Sequence, residues 1–188
     1  MNKTAIGKGV CNAIVAAMSF VIASGCANQG FLMKSGSTLS PQGMQRLVLR
    51  AKYSESLAGR IPSQTKTNYE AAFLKITNLN VRVVGNVNAP KPEAPYYYLN
   101  AEVTKYKPGS PTGRWLMTPV IAFGLWGSYV NVDFSICDPD TNAALGSGII
   151  RKANLWGGAI GKSITSENQL EVCPKEIMAD LDSVMKKK

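Results

Sequence analysis

Hydrophobic and polar residues alternate along several stretches of the chain, and each stretch predicts a strand with one buried face. Residues 46–53 set apolar side chains against basic ones, and only Val48 breaks the alternation. The same period of two recurs over residues 96–107 and 129–137, and a further strand follows the turn at 138–142. Successive side chains of a strand point to opposite faces, so these stretches predict a sheet with one face in the core.

Two segments carry the spacing of amphipathic helices. The first, Thr67–Leu79, begins with a capping box formed by its first residue and Glu70. The second begins near Ser166, which would form a capping box with Gln169, or near Pro174, because proline suits the first helical position. The inward stripe of this second helix consists of Ile177, Leu181 and Val184.

The order of these elements indicates the fold class. A short strand over residues 81–84 follows the first helix, so the order is strand, helix, four strands, helix. This order predicts an α+β fold: a single two-layer domain with a mixed, mostly antiparallel sheet of about five strands and two helices packed on one face. A competing interpretation of the first strand is a helix that begins at Ser40-Pro41 and includes Gly43.

The N-terminal 26 residues have the parts of a secretory signal. Two lysines precede an apolar run that ends at Ala23, and this run is shorter than the roughly 20 residues that span a bilayer as a helix. The small residues 23–25 and the following Cys26 resemble the lipobox of bacterial lipoproteins. The resemblance implies cleavage before Cys26 and attachment of diacylglycerol and a fatty acid such as palmitate there. The alternative is ordinary signal cleavage, for instance after Ala27.

This interpretation divides the chain into three parts. Residues 1–25 are the lipoprotein signal peptide, residues 26–44 are the lipidated N-terminus and a flexible tether, and residues 45–188 are an α+β periplasmic domain. Ala27, where an inner-membrane lipoprotein would carry Asp, favours transfer to the outer membrane by the same resemblance. We therefore expect a lipid-anchored protein on the periplasmic face of the outer membrane.

Charge and composition narrow the chemistry. The net charge is +9, or +7 without Lys3 and Lys8 of the signal, so the expected neighbours are anionic surfaces unless the basic residues merely face solvent. No nucleic-acid module is recognisable. The absence of histidine excludes Ser-His-Asp and Cys-His catalysis, and with no close cysteine pair we predict no metal site and no cofactor. Asp138 and Asp140 fit a tight turn better than a cation site.

Cys137 and Cys173 are the two cysteines of the domain. In an oxidising periplasm we expect them to form a disulfide, which would close a loop of about 35 residues. The alternative is two separate buried thiols, since cysteine is among the residue types most often buried.

The glycine-rich apolar segment of residues 109–127 is the most unusual part of the domain. With Tyr106-Lys107-Pro108-Gly109 before it and the 138–142 turn after the next strand, it resembles a family of uncharacterised Gram-negative lipoproteins of unknown function. The likeness covers residues 96–160 and implies lipoprotein status and fold. The chain departs from the family pattern at Leu125 and Trp126, where small residues are usual.

Aromatic residues in and near this segment suggest an interaction surface, unless they fill the core. The candidates are Arg114, Trp115, Phe123, Trp126 and Trp156.

These observations predict a non-enzymatic, lipid-anchored binding or accessory module of the bacterial envelope with an envelope protein as partner. One alternative is a binder of an anionic envelope polymer such as peptidoglycan. Another is a hydrolase based on two carboxylates, which would have to converge in a cleft.

Overall fold

Six strands and four helices make up the fold in a computed structural model, which describes residues 28–108, 128–154 and 165–187. The strands are β1 (Gln29–Met33), β2 (Leu47–Tyr53), β3 (Val83–Asn86), β4 (Tyr97–Lys107), β5 (Ser128–Cys137) and β6 (Ala144–Asn154). The helices are α1 (Pro41–Met44), α2 (Glu55–Ala58), α3 (Ser63–Leu74) and α4 (Ser166–Lys186).

The strands form one mixed sheet in the order β1-β6-β5-β4-β2-β3. β2 runs parallel to both of its neighbours, and all other pairs are antiparallel. The predicted α+β fold with a mixed sheet is confirmed, with six strands where about five were expected. The additional strand is β1.

α3 and α4 pack on one face of the sheet and define its inner side. Every second residue of β5 from Val130 to Ile136 is buried there, as the alternating sequence predicts. α4 covers them with one apolar face, which consists of Leu170, Cys173, Ile177, Met178 and Leu181. Burial of one such aliphatic side chain contributes about 1.5–3 kcal/mol, so this layer is the main source of stability. No helix within the described ranges has the length and apolar character needed to cross a bilayer.

α4 also fastens both edges of the sheet through two carboxylates. Asp180 accepts a hydrogen bond from the backbone N–H of Phe31 in β1. Asp182 accepts one from the backbone N–H of Asn80, just before β3, at 2.8 Å. Its ion pair with Lys186 lowers the pKa of Asp182, and the Asn80 bond acts in the same direction, so the buried carboxyl is held in its charged form.

The predicted flexible tether over residues 26–44 is wrong for residues 29–44. β1 pairs with β6, and its Phe31 is buried with its ring centroid 6.1 Å from that of Phe134. Leu39 and Met44 are also buried in the core. A single inward aromatic in a short strand carries too little periodicity to be recognised in a sequence rich in small and polar residues.

Two glycines of β6 make room for these aromatic rings. A Cβ at Gly146 would lie 2.3 Å from Cζ of Phe31 and 2.8 Å from the carbonyl oxygen of Leu32. A Cβ at Gly148 would lie 2.5 Å from Cζ of Phe134. The close approach of β1 to β6 therefore requires a residue without a side chain at these positions.

The helix boundaries differ from the predicted ones. α3 begins at Ser63, so Thr67 lies inside the helix, where its hydroxyl donates to the carbonyl oxygen of Ser63 at 3.1 Å instead of capping. α4 does begin at Ser166, but its cap is Thr165, whose hydroxyl accepts from the N–H of Asn168 at 3.3 Å.

By contrast, the strand predicted to begin at residue 46 begins at Leu47 and is β2, so its start is predicted to within one residue. The proline at position 41 begins only the four-residue α1, capped by Ser40, and β2 follows it. The proline therefore begins a short helix, and the alternating residues that follow it form the strand.

The predicted disulfide between Cys137 and Cys173 is absent, and both thiols are buried and unpaired. Cys173 lies on α4, above the inner face of the sheet, where its thiol donates to the carbonyl oxygen of Gln169 at 3.3 Å. Cys137 packs with Val48 and Tyr98 on the opposite face. The sheet lies between the two sulfurs, so the second interpretation, two buried thiols, is the correct one.

Gly146→Ala tests the docking of β1. The added methyl group meets a backbone oxygen that cannot move aside easily, so we expect the free energy of unfolding to fall by about 2 kcal/mol. Chemical denaturation measures this change. Gly59→Ala is the matched control, because no atom lies within 4 Å of a Cβ there, and a comparable loss in both variants would contradict the packing argument.

Thiol labelling tests the cysteine assignment. Burial, with a further contribution from Glu176, raises the pKa of Cys173 to about 12, so its reactive thiolate is scarce at neutral pH. We expect iodoacetamide to modify neither cysteine in the native protein and both after unfolding without reductant, as measured by peptide mass spectrometry. Protection that persists after unfolding until a reductant is added would instead reveal a disulfide.

Candidate functional site

The residues that the sequence singled out for interaction lie outside the described part of the chain. These are Cys26, Arg114, Trp115, Phe123, Trp126 and Trp156. Their proposed roles in lipid attachment and in an interaction surface stay predictions. The candidate site consists of strand residues that the sheet register brings together.

The face of the sheet opposite α3 and α4, here called the outer face, carries polar side chains in rows across the strands. One row places Lys52 beside Glu102, Glu102 beside Asp133, and Asp133 beside Ile149. The adjacent row consists of Arg50, Asn100, Ser135 and Ser147. These two rows border a concavity of about 340 Å³, a volume at the lower end of the range for small-ligand sites. It is lined by Lys52, Asn100, Glu102, Asp133, Phe134, Ser135, Ser147, Gly148 and Ile149.

Two carboxylates lie on neighbouring strands in this concavity. Glu102 and Asp133 are directly opposite residues of β4 and β5, where side chains of like charge destabilise a sheet. The ion pairs among the described residues are Lys152–Glu176 and Lys186–Asp182, so neither carboxylate of the concavity is neutralised by one. Asp133 accepts a 3.4 Å hydrogen bond from Thr104. A ligand with an ammonium, hydroxyl or amide donor would relieve this repulsion.

Asn100 adds a polar group that the described structure leaves unsatisfied. Its side-chain N–H group donates to Sγ of Cys137 at 3.1 Å, while its side-chain oxygen is buried and has no hydrogen-bond partner among the described residues. A buried acceptor without a partner costs about 1–3 kcal/mol. Because Asn100 lines the concavity, a donor on a bound ligand could satisfy it.

A cationic and aromatic cluster lies at one end of the outer face. The guanidinium carbon of Arg50 lies 3.3 Å from the ring centroid of Tyr98, and its Nη1 donates to Oδ1 of Asn142 at 2.6 Å. The ring of Tyr96 meets that of Tyr98 edge-on at 5.6 Å. A hydrogen bond with Tyr96 lowers the pKa of Tyr98, and Arg50 acts in the same direction. The cluster fixes the guanidinium in place beside the concavity.

The turn after β5 behaves as the sequence predicts. Oδ1 of Asp138 accepts hydrogen bonds from the N–H groups of Asp140 and Thr141 at 3.1 and 2.8 Å, and from the Thr141 hydroxyl at 2.9 Å. The Thr141 bonds are the main reason that the pKa of Asp138 is lowered. The carboxylate of Asp138 therefore stabilises the turn. The described ranges contain no group of three or more side chains suited to holding a metal ion.

The concavity brings together side chains of several chemical kinds. It offers one cation, two carboxylates, an amide and two hydroxyls as hydrogen-bonding groups. Glu102 and Asp133 are the juxtaposed carboxylates that the hydrolase hypothesis requires.

The chain has weak likenesses among known proteins. No protein-family model matches it, and no curated protein does. It is similar to a PelC dodecamer from Paraburkholderia phytofirmans, with 14% identity and a TM-score of 0.46 over 81% of this chain and 96% of that one. It is similar to a DUF330 protein from Xanthomonas campestris, with 8% identity and a TM-score of 0.42 over 81% and 88%. A minor lipoprotein from Acinetobacter baumannii is 13% identical, with a TM-score of 0.26 over 77% and 91%.

These identities and TM-scores assign the chain to no family. A protein named as a lipoprotein and a DUF330 protein occur among the similar structures. Lipid attachment at Cys26 and an outer-membrane location stay predictions.

The like-charge pair gives a stability test of the site. Removing one charge by Asp133→Asn relieves the repulsion, so we expect the free energy of unfolding to rise by about 0.2–1 kcal/mol in low salt. Glu102→Gln should gain less, because it also loses the favourable pairing with Lys52 directly opposite. The double variant should gain less than the sum, because one repulsion can be removed only once. Chemical denaturation measures all three.

Glu93→Gln serves as the control, because Glu93 is an exposed loop residue. High salt should shrink the gain of the Asp133 variant, since salt screens exposed charges. A destabilised Asp133→Asn variant would show that this carboxylate supports the fold and would remove the argument for a site.

Proposed function

We propose that this protein is a non-enzymatic binding module of the bacterial envelope, anchored to the periplasmic face of the outer membrane through lipid at Cys26. The outer face of the sheet is the binding surface, and its partner is an envelope protein. The observation that carries the proposal is the concavity of about 340 Å³ with opposed Glu102 and Asp133 and the unsatisfied oxygen of Asn100.

These features cost stability without helping the fold. Like charges opposite each other and a buried acceptor without a partner both destabilise a sheet. Stabilising substitutions at such positions are easy to find, and natural proteins break these local rules mainly where function requires it. The cluster of such features in one concavity therefore supports a role in binding.

The groups present indicate the chemistry of the partner surface. Glu102, Asp133 and the oxygen of Asn100 accept hydrogen bonds, while Lys52 donates, so a matching surface offers both ammonium or amide donors and a carboxylate. Complementary charges of this kind give specificity and speed of association more than affinity. A reversible contact with an envelope protein fits this balance.

A binder of an anionic polymer such as peptidoglycan is the second candidate, and the charge of the outer face favours it. The sheet register puts five basic side chains on this face against the two carboxylates: Arg50, Lys52, Lys105, Lys107 and Arg151. Such an excess attracts polyanions, and the attraction weakens as salt rises.

In-cell photo-crosslinking tests the proposal. The full-length lipoprotein carries a benzophenone amino acid at Ser147, in the concavity, or at the exposed control position Gln42. We expect one dominant protein adduct from Ser147 and none from Gln42, because the partner contacts the outer face. The adduct should disappear in a Glu102→Lys/Asp133→Lys variant and persist in the matched Glu55→Lys variant, as judged by immunoblotting and mass spectrometry.

Other outcomes assign the alternatives. An adduct that a muramidase releases would favour the polymer-binding function over a protein partner. Equal labelling from Ser147 and Gln42 would overturn the assignment of the outer face. Release of soluble fragments from cell-wall polymer by the wild type but not by Glu102→Gln would contradict the non-enzymatic assignment.

A further inference from the structure

The chain enters the fold almost directly after the predicted lipid site. Oδ1 of Asn28 accepts a hydrogen bond from the backbone N–H of Arg151 at 2.8 Å, and β1 begins at the next residue. Only Ala27 stands between Asn28 and Cys26 in the sequence. Two residues of extended chain span at most about 7 Å. A lipid on Cys26 would therefore hold the sheet itself against the membrane.

The strand registers show which end of the sheet is held. Asn28 meets Arg151 of β6, which lies opposite Asn131 of β5, which lies opposite Lys105 of β4. On the same face, the next row toward this end of the strands consists of Ala153, Tyr129 and Lys107. The start of β1 is thus level with the end of β4, the start of β5 and the end of β6.

This end of the sheet has the composition of a membrane-facing surface. We call Lys105, Lys107, Tyr129 and Arg151 the basic rim, and all four project from the outer face. Lys105 and Tyr129 are exposed. The two rows that contain the rim include no acidic residue. On the helix side of this end, Glu176 is paired with Lys152, and Glu167 accepts a hydrogen bond from the hydroxyl of Tyr106 at 3.4 Å. Basic side chains attract anionic headgroups, and tyrosine suits the interface between headgroups and water.

We infer that the basic rim rests on the anionic headgroups of the leaflet that holds the lipid of Cys26. The inference deepens the proposed function and rests on its lipid attachment. The strands then run away from the membrane, and the 138–142 turn lies at the far end, roughly 30 Å away along β5.

Lysine footprinting of the anchored protein tests the orientation. The purified full-length lipoprotein is reconstituted in vesicles of phosphatidylethanolamine and phosphatidylglycerol, its lysines are acetylated by a water-soluble reagent, and peptides are quantified. We expect acetylation of Lys105 to fall several-fold relative to a Cys26→Ser protein in the same buffer. Lys34 and Lys91, exposed near the other end of the sheet, should react equally in both samples.

A second vesicle composition separates headgroup contact from simple proximity. In vesicles of phosphatidylcholine alone, which carry no net charge, the protection of Lys105 should be weaker. Equal protection in both compositions would overturn the contact with anionic headgroups. Equal reactivity of Lys105, Lys34 and Lys91 in the anchored protein would overturn the orientation.

Lipid attachment to Cys26 is measured independently of lysine acetylation. The mass of the N-terminal peptide and flotation with the vesicles report lipid on Cys26. An unmodified Cys26 and no flotation would refute the lipid attachment in the proposed function. Flotation with a uniform lysine footprint would leave the anchor intact and refute only the role of the basic rim.

Discussion

The packing of α4 across the inner face of the sheet is the interaction on which the rest of the structure depends. Its apolar stripe covers the centre of the sheet, and its Asp180 and Asp182 bind backbone groups beside the two edge strands. One helix therefore determines which face of the sheet is buried, and it also binds the chain at both edges of the sheet. Without it, β1 would lose the backbone partner that α4 supplies, and the six strands would have no common core.

The strongest periodic signals of the chain are those in which local and tertiary preferences agree. β4 and β5 alternate over ten residues or more, and the structure gives both strands within one residue of the predicted bounds. β1 has one inward aromatic side chain, Phe31, and its partners Gly146 and Gly148 offer no side chain at all. A strand whose position depends on the fit of one ring against glycines has almost no hydrophobic periodicity, so the sequence alone could not reveal it.

The candidate site shows a second limit of sequence-based inference. The alternation over residues 96–107 predicts that Asn100, Glu102 and Thr104 share the polar face of β4, and the structure agrees. The opposition of Glu102 and Asp133, and the neighbouring position of Lys52, depend on register between strands far apart in the chain. The cysteine pairing failed for a related reason, because alternation beyond Ile136 puts Cys137 on the face away from α4. Composition indicated which groups were available, and only the fold showed which of them meet.

β1 also sets how far the domain can stand from the proposed lipid on Cys26. It has one strand neighbour, β6, and the chain from Asn28 to Ser40 contains no other sheet pairing. Detachment of this segment would release about 13 residues, which span roughly 40 Å when extended. Under the proposed attachment at Cys26, the height of the outer face above the bilayer is therefore coupled to the folding equilibrium of a single strand, and the pairing of β1 with β6 limits how far from the membrane a partner can be bound.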